Sequence, residues 1–113
     1  MLSCSQRGYL HLILSWYALE YGETLEYVKQ EVFKKQVNKE IFKFDFVNRR
    51  TAEVRTEYRS TESLDSREMT MAIERFRNFS MLQAGIYLPE PKDLVHLQEI
   101  EDEIKKHENQ LYL

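Results

Sequence analysis

The chain of 113 residues is 42% hydrophobic, 31% charged and 12% aromatic, with a net charge of −3. This composition excludes an intrinsically disordered chain, and the acidic balance argues against a protein that coats nucleic acid through its net charge. The length predicts a single domain over residues 1–113. The single cysteine, Cys4, excludes an internal disulfide framework and favours a reducing, cytoplasmic compartment.

The first two predicted elements are helices, over 6–21 and 25–37. Apolar residues cover nearly every face of the first helix, so we expect it to be central in the fold or shared with a second chain. It is shorter than the roughly 20 apolar residues of a membrane span, and we predict no membrane contact. Gly22 is placed to end the first helix and Thr24 to cap the second.

An alternation typical of β-strands follows. Phe42, Phe44 and Phe46 alternate with charged residues, and a polar connection at 48–52 leads to a second alternating run. We predict an antiparallel hairpin over 42–58. Because a two-stranded ribbon is marginal in water, its Phe face is expected to pack on a helix or on a strand of a partner chain.

Two more helices are predicted, over 66–83 and 93–110. Asp65 and Glu68 have capping-box spacing at the start of the first, and Gly85 is placed to end it. The last helix is highly charged and carries a narrow heptad stripe of apolar side chains. The residues assigned to self-association are Leu97, Ile100, Ile104 and Leu111. The predicted fold class is mainly α (α+β), with about four helices and one antiparallel β-hairpin between helices two and three.

The apolar first helix and the heptad stripe favour a homodimer. A compact monomeric bundle is the alternative, because both features could be covered within one chain.

No motif of a known catalytic class occurs in the sequence. It has no phosphate-binding Gly-rich loop and no Gly-x-Ser-x-Gly sequence, and its histidines are scattered. We therefore predict no enzymatic activity, no metal site and no cofactor, and we expect His11 to be a packed core histidine. The dense carboxylates at 99–103 are interpreted as a solvated face. A nuclease would need a second carboxylate cluster converging on them.

Basic residues concentrate in the middle of the chain. Residues 29–59 hold nine Lys/Arg and five Asp/Glu, whereas residues 90–113 hold three and seven. Proteins that bind single strands combine a basic track with stacking aromatic rings. The alternative is that the charges protect edge strands while the aromatic rings fill the core. The candidate nucleic-acid contacts on or beside the ribbon are Lys43, Arg49, Arg50, Arg55 and Arg59.

The order of features resembles the phage NinB (Orf) family of recombination mediators. Ser5-Gln6-Arg7 opens the first helix where the family carries an Arg-x-x-x-Gln-Asn-type motif, with Gln6 matching the family glutamine. Ser60-Thr61, followed by the helix entry at 64–69, is similar to the family's Ser-Thr motif. The sequence from Gly85 to Pro91 is similar to its helix exit. The family arginine would fall at Leu2 and its Asn at Arg7, and the family's N-terminal β-containing region is expected to be absent or removed here, so that the chain would be an N-terminally short member.

The resemblance implies a non-enzymatic, ring-like dimer that binds single-stranded DNA and helps to load or replace a single-strand-binding protein during recombination. It adds Gln6 and Arg7 to the candidate DNA contacts. The alternative function is a protein-interaction module without nucleic-acid binding, in which the acidic last helix docks to a partner helix or basic protein.

Overall fold

The computed structural model describes residues 5–111, with side chains through residue 108. Cys4 and the side chain of Leu111 lie outside this part of the chain. The helices are α1 (Gln6–Tyr21), α2 (Leu25–Tyr27, continuing as a π-helix over Val28–Val37), α3 (Lys39–Phe42), α4 (Ser66–Phe79, continuing as a π-helix over Ser80–Ala84) and α5 (Leu94–Leu111). The strands are β1 (Lys43–Val47) and β2 (Val54–Tyr58), followed by a 3₁₀ turn over Thr61–Ser63.

The predicted fold class is confirmed, since the described chain is mainly helical with one antiparallel hairpin. The four predicted helices are present with ends within one or two residues of the prediction. The short α3 was not predicted. It takes Phe42 out of the predicted strand and into the helical body.

Local capping explains where the helices begin and end. Gly22 has φ 84° and its amide donates to the Ala18 carbonyl, as expected for a left-handed C-cap. The capping box that opens α4 is complete: the Glu68 amide donates to Asp65 Oδ1 (2.7 Å), and the Asp65 amide donates to Glu68 Oε1 (3.1 Å). Gly85, with φ 67°, ends the π-helical turn after α4.

The π-helical part of α2 ends on a buried asparagine. The Asn38 amide donates to the Phe33 carbonyl five residues back (3.1 Å), which is π-type bonding. The Asn38 side-chain amide donates both to Phe33 and to the Ala72 carbonyl in α4 (3.1 Å each). This residue therefore ties the end of α2 to the middle of α4.

Helix α1 is central, with seven buried side chains. Its Tyr17 ring lies 5.2 Å from that of Phe76, and the Phe33 ring meets those of Phe42 and Phe76 edge-on at 5.6 and 5.5 Å. Such edge-to-face contacts are a preferred aromatic geometry. The expectation that His11 packs in the core is wrong, because its side chain is exposed.

Helix α5 packs along α1 within the chain. Leu97 and Ile100 are only 2% and 7% exposed, and Ile104 is partly buried against the same core. The assignment of Leu97 and Ile100 to self-association is corrected accordingly, because both side chains are buried within one chain, where α5 packs on α1. The narrow apolar stripe of α5 is therefore the surface that packs on the apolar helix α1.

Side chains hold the segment between α4 and α5 against the body. Ser80 Oγ donates to the Ile86 carbonyl (2.7 Å), Arg77 Nε to the Leu88 carbonyl (3.0 Å) and the Tyr9 hydroxyl to the Pro89 carbonyl. Burial raises the pKa of Tyr9 to about 12, so its hydroxyl stays protonated, and able to donate, further into the alkaline range than that of a free tyrosine. An extended segment with no strand partner is thereby fixed through its carbonyl groups.

Candidate nucleic-acid interface

The β1–β2 ribbon, defined as residues 43–58, projects from the helical body at the end of α3. Five residue pairs join its strands, from Lys43 opposite Tyr58 to Val47 opposite Val54. Because side chains alternate between the two faces of a strand, this register puts one set on a common face. The members of this aromatic face are Phe44, Phe46, Arg55 and Glu57.

The aromatic face of the ribbon is open to solvent. Phe44 is 43% exposed and Phe46 is 41% exposed, whereas Phe42 at the end of α3 is fully buried. The expectation that the Phe stripe packs on a helix is therefore wrong for Phe44 and Phe46, and packing on a strand of a partner chain stays a prediction. The backbone turns extended at Lys43 (φ −69°, ψ 135°), which carries the two later Phe residues beyond the body.

Arg55 lies against one of these exposed rings. Its guanidinium carbon is 4.6 Å from the centre of the Phe46 ring, within the range of a cation–π contact. Its Nε also donates to Glu57 Oε1 (2.6 Å). A cation held over an aromatic ring offers both a stacking surface and a phosphate-binding charge in one place.

The tip of the ribbon presents two further cations. Asn48 Oδ1 accepts from the amides of Arg50 (2.9 Å) and Thr51 (3.3 Å), and the Ala52 amide donates to the Asn48 carbonyl (2.8 Å). These bonds fix the turn backbone while the Arg49 and Arg50 side chains stay exposed. Within residues 5–108, neither guanidinium has an ion-pair partner.

Arg59 anchors the base of the ribbon to α4. Its guanidinium donates to both Glu68 carboxylate oxygens (2.8 and 3.1 Å), to the hydroxyl and carbonyl of Ser63 and to the Ile41 carbonyl. The hydrogen bond from Arg59 lowers the pKa of Glu68, and the Asp65 amide lowers it further. Arg59 already uses its donors inside the protein, so the structure places it in an anchoring role.

The remaining candidate DNA contacts, Gln6, Arg7 and Lys43, differ in exposure and in hydrogen-bond partners. Gln6 donates to Thr70 Oγ1 (2.7 Å) and accepts from Ser66 Oγ (3.2 Å), which ties α1 to the start of α4. Arg7 is exposed and donates to the Glu62 carbonyl (3.0 Å). Lys43 is exposed at the base of β1. The structure thus brings Gln6 and Arg7 to the end of α4 that also anchors the ribbon.

Comparisons of the chain with protein families, curated proteins and solved structures found no match. Among the described residues, no group of three or more His, Cys, Asp or Glu side chains could hold a metal ion. No helix in residues 5–111 has the length and hydropathy needed to cross a membrane.

Proposed function

We propose that this protein is a non-enzymatic accessory protein that binds single-stranded DNA through its ribbon, in recombination of a phage or mobile element. The observation that carries the proposal is the exposed aromatic face beside Arg55, joined to a tip whose two arginines have no ion-pair partner in the described part of the chain. The recombination setting and a single-strand-binding protein as partner follow from the family resemblance alone, and the homodimer follows from the sequence pattern and the resemblance together.

Base stacking is the attraction that the two Phe rings would supply. Phe44 and Phe46 are two residues apart on one strand face, about 6.8 Å along the strand. That distance is about twice the 3.4 Å step between stacked bases. Bases that stack on the two Phe rings would therefore be unstacked from each other, as bases of a single strand can be. Such stacking is worth about 1–3 kcal/mol per base and tolerates any sequence.

Phosphate contacts would come from Arg49 and Arg50, since their side chains are exposed at the ribbon's tip, whereas Lys43 lies on the face opposite the Phe rings. Contacts of this kind position the strand without reading its sequence. Of the ribbon's three acidic residues, Glu53 remains exposed beside the tip, and the other two oppose binding less than their number suggests. Asp45 lies on the face opposite the Phe rings, and Glu57 is already paired with Arg55.

The test is fluorescence anisotropy of a labelled 20-nucleotide oligo(dT) at low salt. We expect saturable binding by the unchanged protein. F44A/F46A should weaken binding at least tenfold because two stacking surfaces are lost, and R49E/R50E should abolish it. The matched control is K105E/K106E, an equal charge reversal on α5, which should change affinity less than twofold. No binding at low salt, or equal losses in R49E/R50E and the control, would contradict the proposal.

A second candidate function is self-association through the ribbon's other face. Val47 and Val54 are 55% and 61% exposed there, directly opposite each other at the end of the ladder. Both strands also have an unpaired edge within the described chain, and exposed edges accept strands of a partner. A dimer in light scattering that V47T/V54T dissociates, without single-stranded DNA binding, would favour this function over the first.

A further inference from the structure

A groove of about 590 Å³ lies at the opposite end of α4 from the ribbon, between α1, α5 and the segment that follows α4. Its size falls within the range of small-ligand and side-chain pockets. Three aromatic and three acidic side chains among its lining residues determine which ligands it could bind. They are Trp16, Tyr21, Tyr87, Glu20, Glu99 and Glu103.

The aromatic walls of the groove are held by the body of the protein. Trp16 is partly buried and packs against the core. The Tyr21 ring stacks on that of Tyr17 at 5.4 Å, and the Tyr87 ring meets that of His96 edge-on at 6.4 Å. Tyr21 and Tyr87 nevertheless remain about half exposed, so their faces are accessible to a ligand.

Two of the three carboxylates of the groove lack an ion-pair partner among the described residues. Within residues 5–108, Glu20 and Glu99 make no hydrogen bond or ion pair through their side chains, and Glu103 pairs only with the exposed Lys106 (3.4 Å). His96 also lines the groove, where it is bound to Asp93 (2.6 Å), and Asp93 together with Glu99 raises the pKa of its ring, so its charge offsets part of the acidic charge. The groove therefore has an excess of negative charge next to accessible aromatic rings.

The groove is preformed. Its wall at 85–89 is fixed by the bonds from Ser80 and Tyr9 to the Ile86 and Pro89 carbonyls and by the bond from Arg77 to the Leu88 carbonyl. A preformed site loses less conformational entropy when a ligand binds.

We infer that this groove binds a lysine or arginine side chain presented by a basic segment of a partner protein. Aromatic faces attract such cations through cation–π contacts, and unpaired carboxylates complement their charge. The same charges repel nucleic acid, so this surface is distinct from the ribbon. The inference does not depend on DNA binding by the ribbon.

Titration of the protein with acetylated, amidated tetraarginine and tetralysine peptides tests the inference. Trp16 is the only tryptophan and lines the groove, so its fluorescence reports binding there. We expect a saturable change with the basic peptides and none with tetraglutamine, with isothermal titration calorimetry as a second readout. E20Q/E99Q should weaken binding about fivefold or more, since two attractive charges are lost.

The matched control is D45N/E53Q, which removes the same charge from the ribbon and should change peptide affinity less than twofold. Y87L should also weaken binding, since it removes an aromatic face without changing charge. The inference is overturned if neither readout detects the basic peptides at millimolar concentration and low salt. Equal losses in E20Q/E99Q and D45N/E53Q, or full binding by Y87L, would also overturn it. R49E/R50E should leave peptide binding intact, which separates this result from the fate of the DNA proposal.

Discussion

The ribbon and the helical body use the same residue type in opposite ways. Phe42, Phe44 and Phe46 form one alternating stripe in the sequence, yet the first is fully buried and the other two are more than 40% exposed. Phe42 ends α3 and meets Phe33 in the core, whereas the later two rings lie on the face of the ribbon that stays open to solvent. Alternation thus identifies a strand, but burial requires a second layer to pack against.

The largest expected difference between the two regions is in the free energy of unfolding. Phe42→Ala should lower it by about 3–5 kcal/mol, because a buried ring is lost and a cavity is left behind. Phe46→Ala should lower it by less than about 1 kcal/mol, because the exposed ring contributes mainly its contact with Arg55. Urea unfolding followed by circular dichroism measures both. Similar losses would mean that the ribbon is packed and that the contrast is wrong.

A smaller effect is expected at the ribbon's tip. Ala52 has φ 59°, a left-handed conformation that costs a non-glycine residue about 1 kcal/mol. Ala52→Gly should therefore stabilise the turn by about 1 kcal/mol, and amide hydrogen exchange across β1 and β2 should slow. The control is Ala84→Gly in the turn after α4, which should destabilise instead. Unchanged exchange in the ribbon would contradict the assigned turn geometry.

The smallest effect is expected at the joint between the two regions. Glu68 has a lowered folded-state pKa because Arg59 and the Asp65 amide bind its charged form. Its contribution to stability is therefore present above the unfolded pKa of about 4.3 and is lost as the pH falls through the folded value. Glu68→Gln should be less stable than the unchanged protein at pH 7, and this difference should shrink in acid.

The matched control for that joint is Glu57→Gln, which removes a partner of Arg55 inside the ribbon. It should barely change the global urea midpoint at either pH, because the Arg55–Glu57 pair does not connect the ribbon to the body. A pH-independent loss in Glu68→Gln, or an equal loss in Glu57→Gln, would show that the joint does not act through this charge.

The elements that could be predicted from the sequence are those set by local interactions. Gly22 and Gly85 mark helix ends because only a left-handed residue closes the last turn cheaply, and Asp65 with Glu68 satisfies the free amides at the start of α4. The hairpin followed from alternation and its polar connection. These signals need no knowledge of the tertiary structure, and each was confirmed.

The features that could not be predicted depend on which element covers which. The stripe containing Leu97 and Ile100 fits a partner helix and α1 equally well, and only the tertiary arrangement decides between them. Arg55 and Arg59 are both basic residues of one alternating run. Arg59 binds Glu68 inside the protein, whereas Arg55 lies over the Phe46 ring on the exposed face. The acidic aromatic groove combines residues from 16 to 103, so no local spacing indicates it.

The salt dependence of oligo(dT) binding tests most directly the claim that the ribbon joins a cationic tip to a stacking face. For single strands, the slope of log affinity against log salt changes by about 0.7 for each phosphate contact. R49Q/R50Q should therefore flatten this slope by about 1.4, whereas F44A/F46A should lower affinity at every salt concentration and leave the slope unchanged. An unchanged slope in R49Q/R50Q, or full affinity in F44A/F46A, would contradict the account.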